Sequence, residues 1–423
     1  MRRLRGKERL GDFDIVFVSY ESGDFRSCPA EWADDKVQSL VLMGKKVALV
    51  TSLASSLESN DRLKVFKVPS VSKRDFDDEI RRRSIQSTAS VRLPFGSRFI
   101  ASTFGRLFDS IFRSLAGADS WGRYSWVLSS LPTIGKLILS NPSATLVASG
   151  GPSSSQVSLT VASSLLTMRR PILEFQDPFV GSEMIMSSRA RRVLEGLEIW
   201  LVKRASKIVM VTDGAANEMR ARHQSRADKI IRIYPGAPYF ELSPKGRALS
   251  DEQFEIIHLG TLYGTRNFDR LFEALDRIYQ EKPELRGKVK VRNLGNIYLD
   301  NSEEYLARQD FIHDDPLPRQ QALSQAAKSR ALLLIQHTDS RSRETIPYKT
   351  YDYLNLELPI IGILNNPELA ELCVRAGGVA ASATSVDDIE QALLRVIQSA
   401  SPDRSGADDL VGSMEKQLLE LLS

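Results

Sequence analysis

The chain is poor in the groups that usually announce a chemistry. Its 423 residues hold two cysteines, Cys28 and Cys373, too few for a disulfide framework, so the cytoplasm is the default compartment. The four histidines, His223, His258, His313 and His337, show no close metal-ligand spacing, and neither cysteine sits near one. No apolar run approaches the ~18 residues of a membrane-spanning helix. The basic start, MRRLRGKER, leads only into IVFV, too short for a signal-peptide core. A Walker A loop, a G-x-G-x-x-G turn after a strand, a G-x-S-x-G elbow and a tandem repeat of 20–50 residues are all missing. So are zinc-finger and RNA-recognition signatures. A net charge of +4 is too balanced to argue for nucleic acid.

What is present is the composition of a globular protein, 42% hydrophobic and 26% charged, with material for two cores. Short apolar runs alternate with longer amphipathic ones. DIVFVSY, KVALVTS, LKVFKV, ATLVASG, PILEF, KIVMVT and KIIRIYPG read as strands. Between them PAEWADDKVQSLVLMG, SSQVSLTVASSLLTM, RRVLEGLEIWLVKRAS and DGAANEMRARH read as helices. The strands are continuously apolar rather than alternating, as in a parallel sheet covered on both faces. Residues 236–252 carry Gly, Pro and charge with little periodicity and read as a linker. The alternation then restarts with FEIIHLG and runs through KVKVRNLG, ALLLIQH and PIIGIL. Two doubly wound α/β domains follow, 1–240 and 241–423, with the last helix a candidate to pack back on the N-terminal domain.

Local charge is less even than the total. MRRLRGKER, Arg81–Arg83 and RARR at 189–192 suit anionic partners, lipid headgroups or nucleotides, or are solvated faces. In SRFIASTFGRLFDSIFRSLAG, Ile100, Phe104, Leu107, Phe108, Ile111 and Leu115 form a helical stripe flanked by Arg98, Arg106 and Arg113. That helix either packs on the sheet or lies against an anionic membrane surface.

In open α/β sheets ligands bind beyond the carboxyl ends of the strands. Four such places stand out. Gly23 follows the first strand and lets backbone approach a ligand. GGPSSS follows ATLVAS with hydroxyls and a helix start. Asp177 ends PILEF. GTLYGTR follows FEIIHL, placing Gly260, Gly264 and Arg266 just ahead of a helix. Each also reads as a turn with caps. A glycine turn, exposed N–H groups and an arginine that opposes the helix dipole together make a pyrophosphate site.

ETIPYKTYDYL, residues 344–354, adds a second cation. Proline fits the first position of a helix, so one should begin near Pro347. Lys349 then lies in the first turn, where the dipole disfavours it unless an anion is near. Lys349 and Asp352, three apart, share a face.

HLGTLYGTRNFDRLFEAL and ETIPYKTYDYL before a buried strand, in two doubly wound domains, resemble the GT-B glycosyltransferases. They most resemble the retaining family 4 that includes many bacterial envelope-polysaccharide enzymes. EWADDKVQSLVLMGKKVALVTS and ASGGPSSSQVSLTVASSLLTMRRPILEFQDPF are similar to that family's N-terminal half. The resemblance spans nearly the whole chain, with 60–125 least covered. It implies two Rossmann-like domains facing a central cleft, the C-terminal one holding a nucleotide-sugar donor. On it Arg266 and Lys349 contact the donor diphosphate, Glu344 lies near the donor sugar and Asp352 holds the ribose. Gly23 approaches the diphosphate from the N-terminal domain. Gly260, Asp177, Thr345, Ile346 and Pro347 are further substrate contacts. Asp352 stands where Glu is usual and reaches about one bond less. Thr261 stands where a basic residue is common, and GGPSSS lacks the histidine of some relatives.

The resemblance implies transfer of a sugar, with retention, to a glycan or lipid-linked acceptor in envelope polysaccharide synthesis. No metal or other cofactor is implied. The expected location is cytoplasmic, peripheral on the inner face of the membrane. A nucleotide-sugar epimerase or hydrolase of the same fold, and a non-catalytic GT-B scaffold, remain as alternatives. No motif encodes the base, the sugar, the acceptor or the linkage.

Overall fold

The computed structural model describes residues 11–23, 28–86, 105, 123–151, 153–180, 188–236, 253–339, 342–343, 345–356, 358–398 and 413–423. The chain divides into two compact units. Unit 1 takes Met1–Val211, Ala215–Ile233 and Leu418–Ser423, and unit 2 takes Thr212–Gly214 and Tyr234–Gln417. Of the basic stripe at 97–117 only Gly105 lies among the described residues.

Unit 1 is built on β1 (Ile15–Val18), β2 (Val47–Ser52), β3 (Leu63–Val68), β4 (Thr145–Ala148), β5 (Ile172–Phe175), β6 (Lys207–Met210) and β7 (Ile230–Arg232). They form one sheet in the order β3-β2-β1-β4-β5-β6-β7, every pairing parallel. Its helices are α1 (Cys28–Leu42), α2 (Lys73–Gln86), α3 (Ser125–Ser140), α4 (Ser154–Leu166), α5 (Ser188–Arg204) and α6 (Asp213–Arg222), the last opening on unit 2 residues. β1 and β2 are buried along their whole length, which is why their sequences are unbroken apolar runs. α1 ends as the sequence predicts, with Gly44 at φ +82 beyond its last turn.

Unit 2 has β8 (Phe254–Leu259), β9 (Leu262–Tyr263), β10 (Val289–Leu294), β11 (Ile297–Tyr298), β12 (Phe311–Asp314), β13 (Ala331–Ile335), β14 (Ile360–Leu364) and β15 (Val379–Ser382). Its main sheet runs β12-β10-β8-β13-β14-β15, and β9 pairs β11 separately. Its helices are α7 (Asp269–Glu281), α8 (Ser302–Leu306), α9 (Arg319–Ala326), α10 (Lys349–Leu354), α11 (Pro367–Arg375), α12 (Val386–Gln398) and α13 (Met414–Leu422), whose last residues belong to unit 1. Strands β9, β11, β12 and β15 and helix α8 are absent from the sequence reading. They are two to five residues long, and β15, VAAS, has little β-branched character.

Within each unit the first strand lies between the second and the fourth of the main sheet. Strand order therefore reverses between β1 and β4, and again between β8 and β13. Such a switch point opens a crevice at the carboxyl ends of the strands. In unit 2 the opening is visible in the register: β13 pairs β8 only at Ala331↔Ile256 and Leu332↔Ile257. Beyond that, Tyr353 of α10 fills the gap. Its hydroxyl accepts from Leu259 N at 3.0 Å and donates to Leu333 O at 3.4 Å. The two edges of the crevice are thus pinned by one side chain from the helix that carries Lys349.

Candidate functional site

The unit 2 crevice gathers most of the residues singled out in sequence. α10 begins at Lys349, two residues beyond Pro347, whose carbonyl accepts from Thr350 N at 2.9 Å. Lys349 is in the first turn and reaches across to β8. Its ammonium donates to Leu259 O at 2.5 Å and meets His258 Nε2 at 2.8 Å. It passes directly over Gly260, where a Cβ would lie 2.8 Å from Nζ. Gly260 sits at φ +134, so glycine here serves both the turn and the lysine. Gly295, after β10, sits at φ +147, and a Cβ on it would strike Gly260 O at 2.4 Å.

His258 is the residue that sequence reasoning missed. It is fully buried in β8, and its Nδ1 lies 2.7 Å from Asn293 Oδ1. Asn293 donates from Nδ2 to Gly295 O at 2.9 Å, which fixes the amide orientation. Nδ1 therefore carries the imidazole proton, and Nε2 presents a lone pair to the lysine. Burial, Lys349 and Arg266 push the imidazole pKa well below its ordinary 6.5, against the Asn293 bond. A neutral ring can hold a cation; a charged one would repel it. The only sequence signal was a histidine in an apolar strand ending at a glycine turn.

Arg266 stands on the loop after β9, joined to Tyr263 by reciprocal backbone bonds of 3.0 and 3.1 Å, with its guanidinium 5.3 Å from the Tyr263 ring. The loop is anchored at its far end by Phe268, fully buried, whose N–H donates to the Tyr305 hydroxyl at 3.0 Å. Thr265 donates to Asp339 Oδ2 at 2.8 Å and its hydroxyl lies 3.1 Å from His337 Nδ1. The loops after β9 and β13 are thereby tied together across the switch point.

The Thr345–Ile346–Pro347 segment is held by amides from the neighbouring strand ends. Thr345 O accepts from Gln336 Nε2 and Asn366 Nδ2, each at 3.1 Å, and Ile346 is buried. Glu344 lies outside the described residues. Asp352 is buried and gripped by Arg319, Nη2 to Oδ1 at 2.5 Å and Nε to Oδ2 at 3.1 Å, with the guanidinium 4.8 Å from the Tyr348 ring. Arg319 also escaped the sequence reading, because it is 33 residues distant.

The remaining candidates, Gly23 and Asp177, belong to unit 1. Gly23 follows β1 at φ +65; its N–H donates to Asp34 Oδ2 at 2.7 Å and its carbonyl accepts from Ser56. Asp177 lies two residues beyond the end of β5, and desolvation by the surrounding protein raises its pKa. After β4, Gly150 lies at φ +127 against Ser19, and α4 opens with Ser154–Thr160 all buried. Several neutral polar atoms there, Ser149 Oγ, Ser154 Oγ, Gln156 Oε1 and Gln176 Oε1, have no hydrogen-bond partner among the described residues. Among the described residues no group of three or more His, Cys, Asp or Glu side chains could hold a metal ion, and no helix is long and apolar enough to cross a membrane.

No family model matches the chain, and no curated protein matches it in sequence. Solved structures do. WaaG, a glycosyltransferase involved in lipopolysaccharide biosynthesis, is 13% identical with a TM-score of 0.55, over 95% of this chain and 98% of that one. Anabaena Alr3699/HepE, in complex with UDP and glucose, is 11% identical with a TM-score of 0.58, over 97% and 99%. A UDP-forming trehalose-phosphate synthase from Burkholderia xenovorans is 11% identical with a TM-score of 0.61, over 97% and 99%. At such identities the likeness is one of fold: two parallel-sheet Rossmann-like domains, as in GT-B glycosyltransferases.

Proposed function

We propose that the protein is a glycosyltransferase whose unit 2 binds a nucleotide-diphosphate sugar. It passes the sugar, with retention, to a glycan or lipid-linked acceptor in cell-envelope polysaccharide synthesis, working from the cytoplasmic side without a metal ion. The observation that carries the reading is Lys349, held by a neutral His258 over Gly260 at the switch point, with Arg266 on the adjoining loop. Two cations that both act on His258, beside a glycine turn, suit a diphosphate. That proteins of the same fold have been solved with UDP agrees with it.

In the transfer the bond between the anomeric carbon and the diphosphate oxygen breaks. The carbon gains positive character and the leaving oxygen negative charge. Lys349 and Arg266 stabilise that oxygen, and removing one such contact costs about 10²–10³ in turnover. Glu344 orients the donor sugar. Asp352 meets the ribose through the lone pairs that Arg319 leaves, or through water.

The test is calorimetric titration with UDP, GDP, ADP, dTDP and CMP in the absence of metal. One diphosphate should bind in the micromolar range, and Arg266→Ala should lose it while the fold persists. A folded protein that binds none of the five would overturn the reading in favour of a scaffold.

A further inference from the structure

Among the described residues only two aromatic side chains are exposed, Tyr263 at 39% and Tyr298 at 69%. They are neighbours. β9 and β11 pair in parallel, with Leu262 opposite Ile297 and Tyr263 opposite Tyr298. Side chains at paired positions of a ladder point the same way, so each pair has its own face. Leu262 and Ile297 pack on the unit 2 core. Tyr263 and Tyr298 turn outward, on strands about 5 Å apart. Each stands three residues beyond a crevice glycine, Gly260 or Gly295, and those two glycines are closely apposed. Tyr263 is braced: its ring meets His337 edge-on at 4.8 Å and the Arg266 guanidinium at 5.3 Å. Tyr298 keeps most of its ring in water. A lone exposed ring needs no account, but two that meet at the rim of one crevice do.

The pair stands at one end of the crevice. Tyr263 touches His337, and Thr265 bonds Asp339, on the stretch that leads to Glu344 and the donor sugar. The ribose end is marked instead by Asp352 and Arg319. The rings therefore continue the sugar end of the donor site and not the base end. Charge narrows the occupant. Asp300, Glu303 and Glu304 follow Tyr298 within six residues and are exposed, which disfavours anionic ligands and anionic lipid alike. A neutral sugar ring fits both features. Its axial C–H groups are weakly positive and suit the negative face of an aromatic ring, while its hydroxyls stay in water.

We propose that Tyr263 and Tyr298 form an acceptor subsite for a neutral saccharide chain, whose successive rings stack on the two tyrosines. The proposal rests on the reading of the crevice as a nucleotide-sugar site. It makes the acceptor a glycan of at least two residues, held in part by unit 2.

The experiment is affinity electrophoresis of the full chain in native gels that hold dextran, mannan, galactan or the anionic hyaluronan. At least one neutral polymer should retard the chain, and hyaluronan should not. A disaccharide of the retarding polymer should release the chain, and its monosaccharide at equal concentration should not. Tyr298→Ala should bind the polymer about fivefold more weakly. Tyr298→Phe should bind as the parent does, because stacking needs the ring and not the hydroxyl. Tyr298 is exposed, so both variants should unfold at the parent's temperature. Titration with nucleoside diphosphates separates this proposal from the reading beneath it. Tyr298→Ala should keep the parent's nucleotide affinity; a loss would assign the ring to the nucleotide and overturn the glycan subsite. Retardation of a chain that binds no nucleotide would keep the glycan site and overturn the donor reading. Three further results overturn the proposal: no retardation by any neutral polymer, undiminished retardation of Tyr298→Ala, or a concentration-dependent dimer that this variant dissolves.

Discussion

The two units share one strand order but furnish their switch points with opposite chemistry. Around the end of β8 in unit 2 stand Lys349, His258 and Arg266, two cations acting on one neutral imidazole. Past β1 and β4 in unit 1 stand serines, glycines and neutral oxygens without a partner among the described residues, with Asp34 capping Gly23 and Glu21 paired to Arg82. Unit 1 also buries ionisable groups deeper in its core. Lys36 of α1 pairs with Glu174 of β5, both almost fully buried. Glu79 of α2, also buried, accepts from Tyr20 Oη at 2.9 Å and from Ser70 Oγ at 2.6 Å. The topology makes a place for a ligand twice; the side chains decide what it takes.

The sharpest way to break the contrast is at the unit 2 crevice itself. Gly295→Ala puts a methyl 2.4 Å from Gly260 O at φ +147, so backbone must move. Chemical denaturation should show unit 2 destabilised by about 3 kcal/mol or more. A loss well under that would mean the glycine pair is not needed for the turn.

Of similar size is the effect at the buried pair of unit 1. Lys36→Met leaves the buried Glu174 carboxyl without its cation and should cost about 3–5 kcal/mol. The double variant Lys36→Met/Glu174→Leu should recover most of it. No recovery would mean that packing, not charge, is what Lys36 contributes.

The units should also respond to pH with opposite sign. Burial lifts Glu79 from 4.5 to about 7, against its hydrogen bonds to Ser70 and Tyr20. Between those values folded unit 1 binds more protons than the unfolded chain, so its stability falls as pH rises. The change is roughly 3 kcal/mol over the window. His258 behaves in reverse. Its folded pKa lies well below 6.5, so below 6.5 the unfolded chain takes a proton that folded unit 2 refuses. Unit 2 therefore loses stability as pH falls through 6.5. Hydrogen exchange resolved by unit at about pH 5 and about pH 7 measures both slopes. Glu79→Gln should flatten the first and leave the second; a slope unchanged in that variant would remove Glu79 from the account.

The smallest effect is a control. Gly44→Ala shares the left-handed φ of the crevice glycines but has nothing within 4 Å. It should cost only about 1 kcal/mol, the conformational term without collision.

Much of the fold was legible because a parallel sheet buried on both faces leaves unbroken apolar runs. IVFV and ALLLI can hardly be anything else. The misses were of two kinds. β12 and β15 are edge strands of four residues, with partly exposed patterns that carry no period. Arg319 and His258 were missed because their roles depend on neighbours 33 and 91 residues away. The placing of Arg266 and Lys349 beside helix starts was legible for a different reason. A cation near a helix start conflicts with the local dipole, and a conflict shows in a short window.

The sequence alone determined the α/β class, the presence of two doubly wound units and the glycine turns after β1 and β8; the linker expected at 236–252 lies, but for its first residue, outside the described residues. These follow from periodicity and local backbone preference, which act over a few residues. Tertiary structure decided the rest. It put Lys349 over Gly260, chose the tautomer of His258 through Asn293, and gave Asp352 an arginine partner. Each is a contact between distant segments, fixed only once the strands have taken their order and the switch point has opened between β8 and β13.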